Sequence, residues 1–304
     1  MATGTDQTLN TPGVLQKVLL TGASSQIGVF VIPRLVKAGF QVLAVSRNGK
    51  PSRWPSFEQV EWLDVPGALK AVGNCQYFLS AGPLELAQEF LSAGTQFESA
   101  VVFSSSSVVS KVDSNNREEQ DQIKTMLATE SALREHATKH GVRLTLFKPT
   151  LIYGCGMDTN VSRLAAWIRR VGFMPVTGRA GGLRQPVHAD DLAAVAVTAL
   201  LGEMELPSEL FLAGGETLTF SEMLIRIFEA SGKPPKLVHF PQWLFVLLIA
   251  LVSTVNKDHG ISSEMVRRLR FVLGFVDLPA RVLLGYDPRP FHPDEKDFSL
   301  PESN

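Results

Sequence analysis

The sequence predicts a doubly wound α/β fold: a parallel sheet covered by helices on both faces, followed by a smaller, mostly helical C-terminal lobe. Three observations predict it. Short apolar runs alternate with helix-compatible stretches through the first half, a glycine-bearing turn joins the first run to the first helix, and this alternation breaks beyond Gly154. A chain of 304 residues is long enough for two such lobes.

The elements follow in order. "KVLLTG" (17–22) is an apolar strand ending at a glycine, and "IGVFVIPRLVKAG" carries apolar residues at helical spacing up to Gly39. "FQVLAVSR", "VEWLDV", "CQYFLSAG" and "SAVVFSSSS" supply four more strands. "ESALREHATKHG" is a helix stopped at Gly141, and "VRLTLFKPTLIYG" is the next strand. Strand–helix alternation implies a parallel sheet with right-handed crossovers. "QPVHADDLAAVAVTALLG" returns to the helical layer over the sheet, with Asp190 or Asp191 suited to cap its helix. The expected division places residues 15–158 and 183–215 in a nucleotide-binding domain and 159–182 and 216–300 in a substrate lobe, after a flexible extension over 1–14.

Composition removes several function classes. Charged residues make up 19% and the net charge is −1, so the chain lacks the electrostatic footprint of a nucleic-acid binder. Two cysteines, Cys75 and Cys155, cannot build a disulfide framework or a metal cluster. "MATGTDQTLNTPGVLQ" has no apolar core of the kind a signal peptide needs, and a cytoplasmic location is expected.

The turn "TGASSQIG" runs Gly22, Ala23, Ser24, Ser25, Gln26, Ile27, Gly28. Gly22 suits a tight turn, Gly28 lets helix and strand pack closely, and the first-turn N–H groups would face a pyrophosphate. The bland alternative is an ordinary βα turn. At the end of the second strand, an acidic residue would meet the ribose hydroxyl of NAD, and an arginine the 2′-phosphate of NADP. The sequence there is "AVSRN", so Ser46 and Arg47 favour NADP(H) over NAD(H), against a merely solvated Arg47. Asp64 is suited equally to the adenine amino group and to a turn or helix cap. Ser80, Ala81 and Gly82, ending the fourth strand, complete the expected cofactor edge.

"KVLLTGASSQIG", "LDV", "FLSAG", "FSSSS", "KPTLIYG" and "RQPVHADDLA" stand in an order and spacing that resemble the extended short-chain dehydrogenase/reductase superfamily, in its nucleotide-sugar epimerase/dehydratase branch, over roughly 17–215. The resemblance implies a Rossmann fold and a Ser/Thr, Tyr, Lys mechanism. The tyrosine moves a proton to or from the sugar oxygen while the nicotinamide exchanges hydride, the lysine lowers the tyrosine pKa and binds the nicotinamide ribose, and the serine orients the substrate oxygen. Ser106 matches the serine, and Pro149 the strand-to-loop exit beside the nicotinamide. Ser25 departs from the pattern, standing where a middle glycine is common.

The larger departure lies on the helix after "FSSSS". Counting back from Glu130 at four-residue spacing puts Gln122 in the tyrosine position and Met126 in the lysine position. Neither titrates, so acid–base work near neutral pH lacks its usual actor. Tyr77, Tyr153 and Tyr286 are the chain's three tyrosines, none with a lysine four residues on. Lys124 points away from the Gln122–Met126 stripe and reads as a solvated lysine. Three explanations stand: a relative that binds NADP without turning it over, an enzyme whose proton is relayed by Ser106 with a water, by Lys111 or by Tyr153, or a substrate that needs little proton help.

On the substrate side, the resemblance and the charge pattern single out Tyr153, Asn160 and Arg184, the arginine suited to a nucleotide diphosphate. Arg163, Arg169 and Arg170 are further candidates or the basic outer face of an amphipathic helix. His188 reads as a buried structural histidine ahead of a catalyst, and no metal site is expected. From Leu237 to Asn256 there is no charged residue, and the apolar helix expected over 243–256 is open to burial in the lobe, packing in a homodimer, or peripheral contact with a membrane beside "EMVRRLRF". The reading is an atypical NAD(P)-dependent epimerase/dehydratase-like oxidoreductase acting on a nucleotide-linked sugar or related carbonyl or hydroxyl compound. Its alternative is a non-catalytic NADP(H)-binding structural or regulatory subunit.

Overall fold

The computed structural model describes residues 16–94, 97–110, 116–177, 180–240 and 277–300. Seven strands form one parallel sheet: β1 (Lys17–Thr21), β2 (Gln41–Val45), β3 (Val60–Leu63), β4 (Tyr77–Ser80), β5 (Ser99–Phe103), β6 (Arg143–Pro149) and, after four short strands of the other lobe, β11 (Glu209–Leu212). Their spatial order is β11-β6-β5-β4-β1-β2-β3. Consecutive strands run outward in both directions from β1, so the crevice between the carboxyl ends of β1 and β4 is the switch point where α/β sheets of this order bind ligands.

Helices cover both faces. α1 (Gly28–Lys37) and α7 (Ala189–Leu201) enclose one core with Val18, Leu20, Val101 and Phe147. α2 (Val65–Ala71), α3 (Leu84–Gly94) and α5 (Arg117–His140) close the other over Leu19, Phe78, Val102 and Leu146. The alternation of Leu19 and Leu20, or Leu146 and Phe147, between the two cores follows from the two-residue side-chain period of a strand buried on both faces. A four-residue helix, α4 (Ser107–Ser110), follows β5.

Two helix starts differ from expectation. α5 begins at Arg117, ahead of the Glu130 start that the periodicity gives, because Asn116 Oδ1 accepts from Glu118 N at 2.9 Å and Glu118 and Glu119 sit at the positive end of the helix dipole. It ends where expected, with Gly141 left-handed at φ 69°. α7 is capped by neither Asp190 nor Asp191: His188 Nδ1 accepts from Asp190 N at 3.0 Å, and the two aspartates occupy the first turn.

The second lobe has its own core. α6 (Val161–Val171) and α8 (Phe220–Ala230) pack together with Met174, Val176, Leu218 and Phe291. Three two-stranded pairs frame it: β7 (Leu151–Tyr153) with β10 (Pro186–His188), β9 (Leu183–Arg184) with β12 (Leu218–Thr219), and β8 (Met174–Thr177) with β13 (Leu237–Phe240). α9 (Leu278–Leu284) departs from the expected division: Ala280 and Tyr286 pack into the α1–α7 core of the sheet, and Tyr286 Oη donates to Ala213 O at 2.7 Å. The apolar run 243–256 lies outside the described residues, and no described helix is long and apolar enough to cross a membrane.

A buried charge cluster ties four elements at the carboxyl edge of the sheet. Glu130 of α5, 0% exposed, accepts from Ser104 Oγ at 2.6 Å and lies 3.1 Å from Lys148 Nζ of β6. Lys148 also bonds Glu209 of β11 at 2.8 Å, and Arg134 bridges Glu130 and Glu209 at 3.3 and 2.6 Å. Two cations neutralise two carboxylates, which is what lets such groups leave water. The Lys148 hydrogen bond holds the Glu209 carboxyl below the usual glutamate range against the opposing effect of burial. A depressed folded pKa gives stability that is present above the unfolded value and lost as pH falls through the folded one. Lys148→Met removes the buried cation shared by Glu130 and Glu209, leaving Glu130 to Arg134 and Ser104, and is expected to cost up to about 3–5 kcal/mol at neutral pH in urea denaturation, with a weaker acid limb below the ordinary glutamate range. Adding Glu130→Gln should recover part of the loss.

Candidate active site

The β1–α1 turn is held against the end of β4. Gly22 has φ +66°, and a Cβ there would sit 2.3 Å from the Ala81 carbonyl carbon, so both conformation and space demand glycine. A Cβ on Gly28 would lie 2.3 Å from Ala23 O, which gives this second glycine the close-packing role the sequence predicts. Ala81 N donates to Thr21 O at 2.9 Å, and Thr21 Oγ1 donates to Ser80 Oγ at 2.8 Å. Ser80 is fully buried, so its side chain serves the sheet edge, while the Ala81 and Gly82 backbone packs against Gly22.

Within the turn, Ser25 N donates to Gly22 O at 2.8 Å and Ser25 Oγ accepts from Gly28 N at 3.1 Å. The hydroxyl thus takes one of the helix's free donors. The N–H groups of Gln26 and Ile27 find no acceptor among the described residues and remain available at the positive end of α1. The Gln26 side-chain Oε1 is buried without a hydrogen-bond partner. A left-handed glycine turn, two free N–H groups at a helix start and an orphaned polar atom beside them fit a nicotinamide dinucleotide, whose diphosphate such a turn holds.

At the end of β2, Ser46 Oγ donates to Ser24 Oγ at 3.2 Å and accepts from Asn48 N at 3.4 Å. Arg47 is exposed beside this pair, with no ion-pair partner among the described residues. The loop beyond is pinned by Lys50 Nζ, which donates to Trp54 O and Ser56 Oγ at 2.9 Å each. Asp64 displays the capping alternative: its Oδ1 accepts from Gly67 N at 2.8 Å at the start of α2.

Ser106 stands after β5 with 8% exposure, and its N–H donates to Pro149 O at 3.1 Å, bringing these two expected site residues together. On α5, Gln122 is exposed, and Met126, at the position where a lysine was expected, packs against the core beneath the helix. Lys124 is exposed and pairs loosely with Asp121 at 3.8 Å, as a solvated lysine does, and Lys111 lies outside the described residues.

None of the three tyrosines stands on α5. Tyr77 begins β4 at the opposite edge of the sheet, and Tyr286 is buried in the α1–α7 core. Tyr153 is 1% exposed, edge-on to His188 and Phe291 with ring centroids 5.0 and 4.9 Å away. Burial first, then the Asp297 charge, push its phenol well above the ordinary range, which disqualifies it as a proton relay near neutral pH. Burial likewise pushes the Cys155 thiol up to about 12 and Cys75 to about 11, so neither is a nucleophile.

Residues 154–156 join the lobes through three successive positive φ angles: Gly154 at 108°, Cys155 at 55° and Gly156 at 69°. A Cβ on Gly154 would meet His188 Nε2 at 2.6 Å, which fixes glycine there. His188 Nδ1 accepts the α7 cap, so its Nε2–H donates to Asp297 Oδ1 at 2.9 Å. Burial raises the Asp297 pKa, but the His188 bond and the Asp294 backbone N–H outweigh it, leaving a lowered carboxyl. Both ring nitrogens are engaged, and the imidazole is structural, as the sequence reading has it.

The substrate-side candidates are dispersed. Asn160 is exposed ahead of α6 and makes no capping bond; Asp158 does that work, accepting from Asn160 N at 2.9 Å and Ser162 N at 3.0 Å. Arg184 Nη1 donates to Leu183 O at 2.7 Å and lies 5.8 Å over the Phe220 ring. Arg169 stacks over Phe298 at 5.2 Å, and Arg163 and Arg170 are exposed. Among the described residues no group of three His, Cys, Asp or Glu side chains could hold a metal. Sequence reasoning misses Asp158 and Asp297. Asp158 has a local signal, an acidic residue four before Ser162 at a helix start, whereas Asp297 meets a partner 109 residues away and has none.

No protein-family model matches the chain. The chloroplast stem-loop binding protein of 41 kDa b from Arabidopsis thaliana is 27% identical over 292 residues, covering 86% of this chain and 75% of the relative. Among solved structures, the UDP-glucuronic acid 4-epimerase from Bacillus cereus, in complex with UDP-glucuronic acid and NAD, superposes with TM-score 0.69 at 15% identity, covering 93% of this chain and 98% of its own. The UDP-glucose 4-epimerase of Thermus thermophilus, in complex with NAD, gives TM-score 0.66 at 18% identity over 94% and 97%. The seven-stranded sheet, its switch point and the second lobe therefore have the fold of these two epimerases.

Proposed function

We propose that the chain binds a nicotinamide dinucleotide at the β1–α1 turn, with NADP(H) favoured over NAD(H), and acts on a nucleotide-linked sugar or a related carbonyl or hydroxyl compound. The observation that carries this reading is the Gly22 turn packed on Ala81, with the Gln26 and Ile27 N–H groups free at the start of α1. The epimerases of like fold were solved with NAD, and one of them with UDP-glucuronic acid as well, which supports a dinucleotide and a sugar nucleotide as the ligands here. The plant relative's name speaks of stem-loop binding, a reading that the net charge of −1 does not favour.

When bound, the dinucleotide supplies or accepts hydride. The chain's own residues do the rest: the turn orients the diphosphate, Ser46 and Arg47 receive a 2′-phosphate, Ser106 orients the substrate oxygen, and Arg184 pairs with the substrate diphosphate. Asp64, capping α2, retains a second carboxylate oxygen for the adenine amino group. Asn160 stands near the substrate phosphates, and Tyr153 shapes the lobe junction. Proton transfer falls to water held at Ser106, because Gln122 does not titrate and Tyr153 is buried with a raised pKa.

A second reading is favoured by Met126, whose packing against the core shows the lysine position turned to structural use. In it the chain is an NADP(H)-binding subunit without turnover. Titration of NADPH and NADH against the protein and Arg47→Asp decides the cofactor claim. The expected result is preference for NADPH, with its affinity reduced about 10- to 100-fold in the variant, the range of one charge-assisted contact, and NADH little affected. Binding of neither nucleotide removes the reading. Steady NADPH oxidation across a panel of keto-sugar nucleotides supports the enzyme, and tight binding with no turnover supports the subunit. If only the tyrosine and lysine are missing, Gln122→Tyr with Met126→Lys should raise turnover about 100-fold or more, the usual worth of a placed acid–base group.

A further inference from the structure

At the amino edge of the sheet, opposite the β1–β4 crevice, β5, β6 and the loop into β11 meet the end of α7 around a cavity of about 230 Å³. Its floor is polar where the same face of the sheet is otherwise apolar. Ser99 and Thr145 stand two residues before Val101 and Phe147 in their strands, so the two-residue period turns all four toward α7. Ser99 and Thr145 are 3% and 5% exposed, and neither hydroxyl has a hydrogen-bond partner among the described residues. Neither is among the unpartnered atoms that the protein closes off completely, so both oxygens open onto the cavity they line.

The mouth carries two opposite charges. α7 stops at Leu201, and Arg143, at the start of β6, donates from Nη1 to Gly202 O at 2.6 Å, which holds its guanidinium over the end of the helix. Arg143 and Glu205 are both exposed, line the same cavity, and form no ion pair with each other or with another described residue. Ala199 and Leu206 supply an apolar wall. A plain anion would meet Glu205 and a plain cation Arg143, so the pair selects a molecule that carries both charges. The volume, below the roughly 300–1,000 Å³ of drug-sized sites, restricts it to a small one. We propose that this cavity binds a small polar α-amino acid, with its carboxylate at Arg143, its ammonium at Glu205 and its polar side chain at the Ser99 and Thr145 hydroxyls. The site is separate from the dinucleotide crevice and does not rest on it.

Calorimetric titration of the full chain with L-serine, L-threonine, L-asparagine and L-glutamine tests this, with lactate and ethanolamine as probes that each lack one of the two charges. At least one of the four amino acids is expected to bind saturably at one site per chain, and lactate and ethanolamine at least 10-fold more weakly. Thr145→Val keeps the side-chain shape and removes the hydroxyl, so it should weaken binding about 5- to 10-fold, the worth of one neutral hydrogen bond, without lowering the thermal midpoint of the free protein. Arg143→Gln and Glu205→Gln should each weaken it about 10- to 100-fold, the worth of a charge-assisted one. The Arg143 variant also loses its bond to Gly202, so Thr145→Val and Glu205→Gln carry the test if that variant does not fold. Binding of none of the four amino acids overturns the inference, as does lactate or ethanolamine binding as tightly as they do, or parental affinity in the Thr145 and Glu205 variants.

Discussion

The constraint on which the rest depends is the contact between the left-handed turn at Gly22 and the end of β4. With no room for a side chain between Gly22 and the Ala81 carbonyl, β1 and β4 must run side by side to the same level. That contact sets where α1 begins, and hence where its unsatisfied N–H groups gather. It also puts backbone against backbone at the switch-point crevice, Gly22 against Ala81 and Gly82. Polar groups that this crevice leaves unpaired define what it can receive.

Around that crevice the molecule spends its polar groups on architecture more than on chemistry. The Glu130–Lys148–Glu209–Arg134 cluster knits α5 to the sheet, and the His188–Asp297 pair ties the C-terminal segment to the start of α7. Arg289 adds to the second tie, donating to Asp190 and Asp191 at 2.8 and 2.9 Å. Glu130 shows the shift in emphasis. Four residues beyond Met126, it is wholly buried and is satisfied by Ser104, Lys148 and Arg134. The same helix presents Gln122 to solvent and Met126 to the core.

Much of this was legible in the sequence because it is local. Strand, turn and helix follow one another within the first 40 residues, so glycine placement and apolar period alone locate the turn, and Gly141 announces the end of α5 by the same logic. The shared helix of Gln122, Met126 and Glu130 was legible too, since four-residue spacing is a property of the helix. What the sequence concealed depends on distant partners. Nothing near His188 says that Asp297 will hold it, nothing near Lys148 that two carboxylates will share it, and the return of α9 to the first core hangs on Ala280 and Tyr286 meeting α7 and β11. The cap of α7 failed in the same way: His188 displaced the two aspartates, because capping follows backbone geometry as much as residue type.

The central claim is that the β1–α1 turn holds the diphosphate of a dinucleotide. Amide hydrogen exchange with and without saturating NADPH tests it most directly, because the groups in question are backbone N–H. The account predicts slowed exchange concentrated in residues 22–28, with a weaker effect at the ends of β2 and β4. Exchange in the turn that is unchanged by the nucleotide, or protection confined to another part of the molecule, would contradict it.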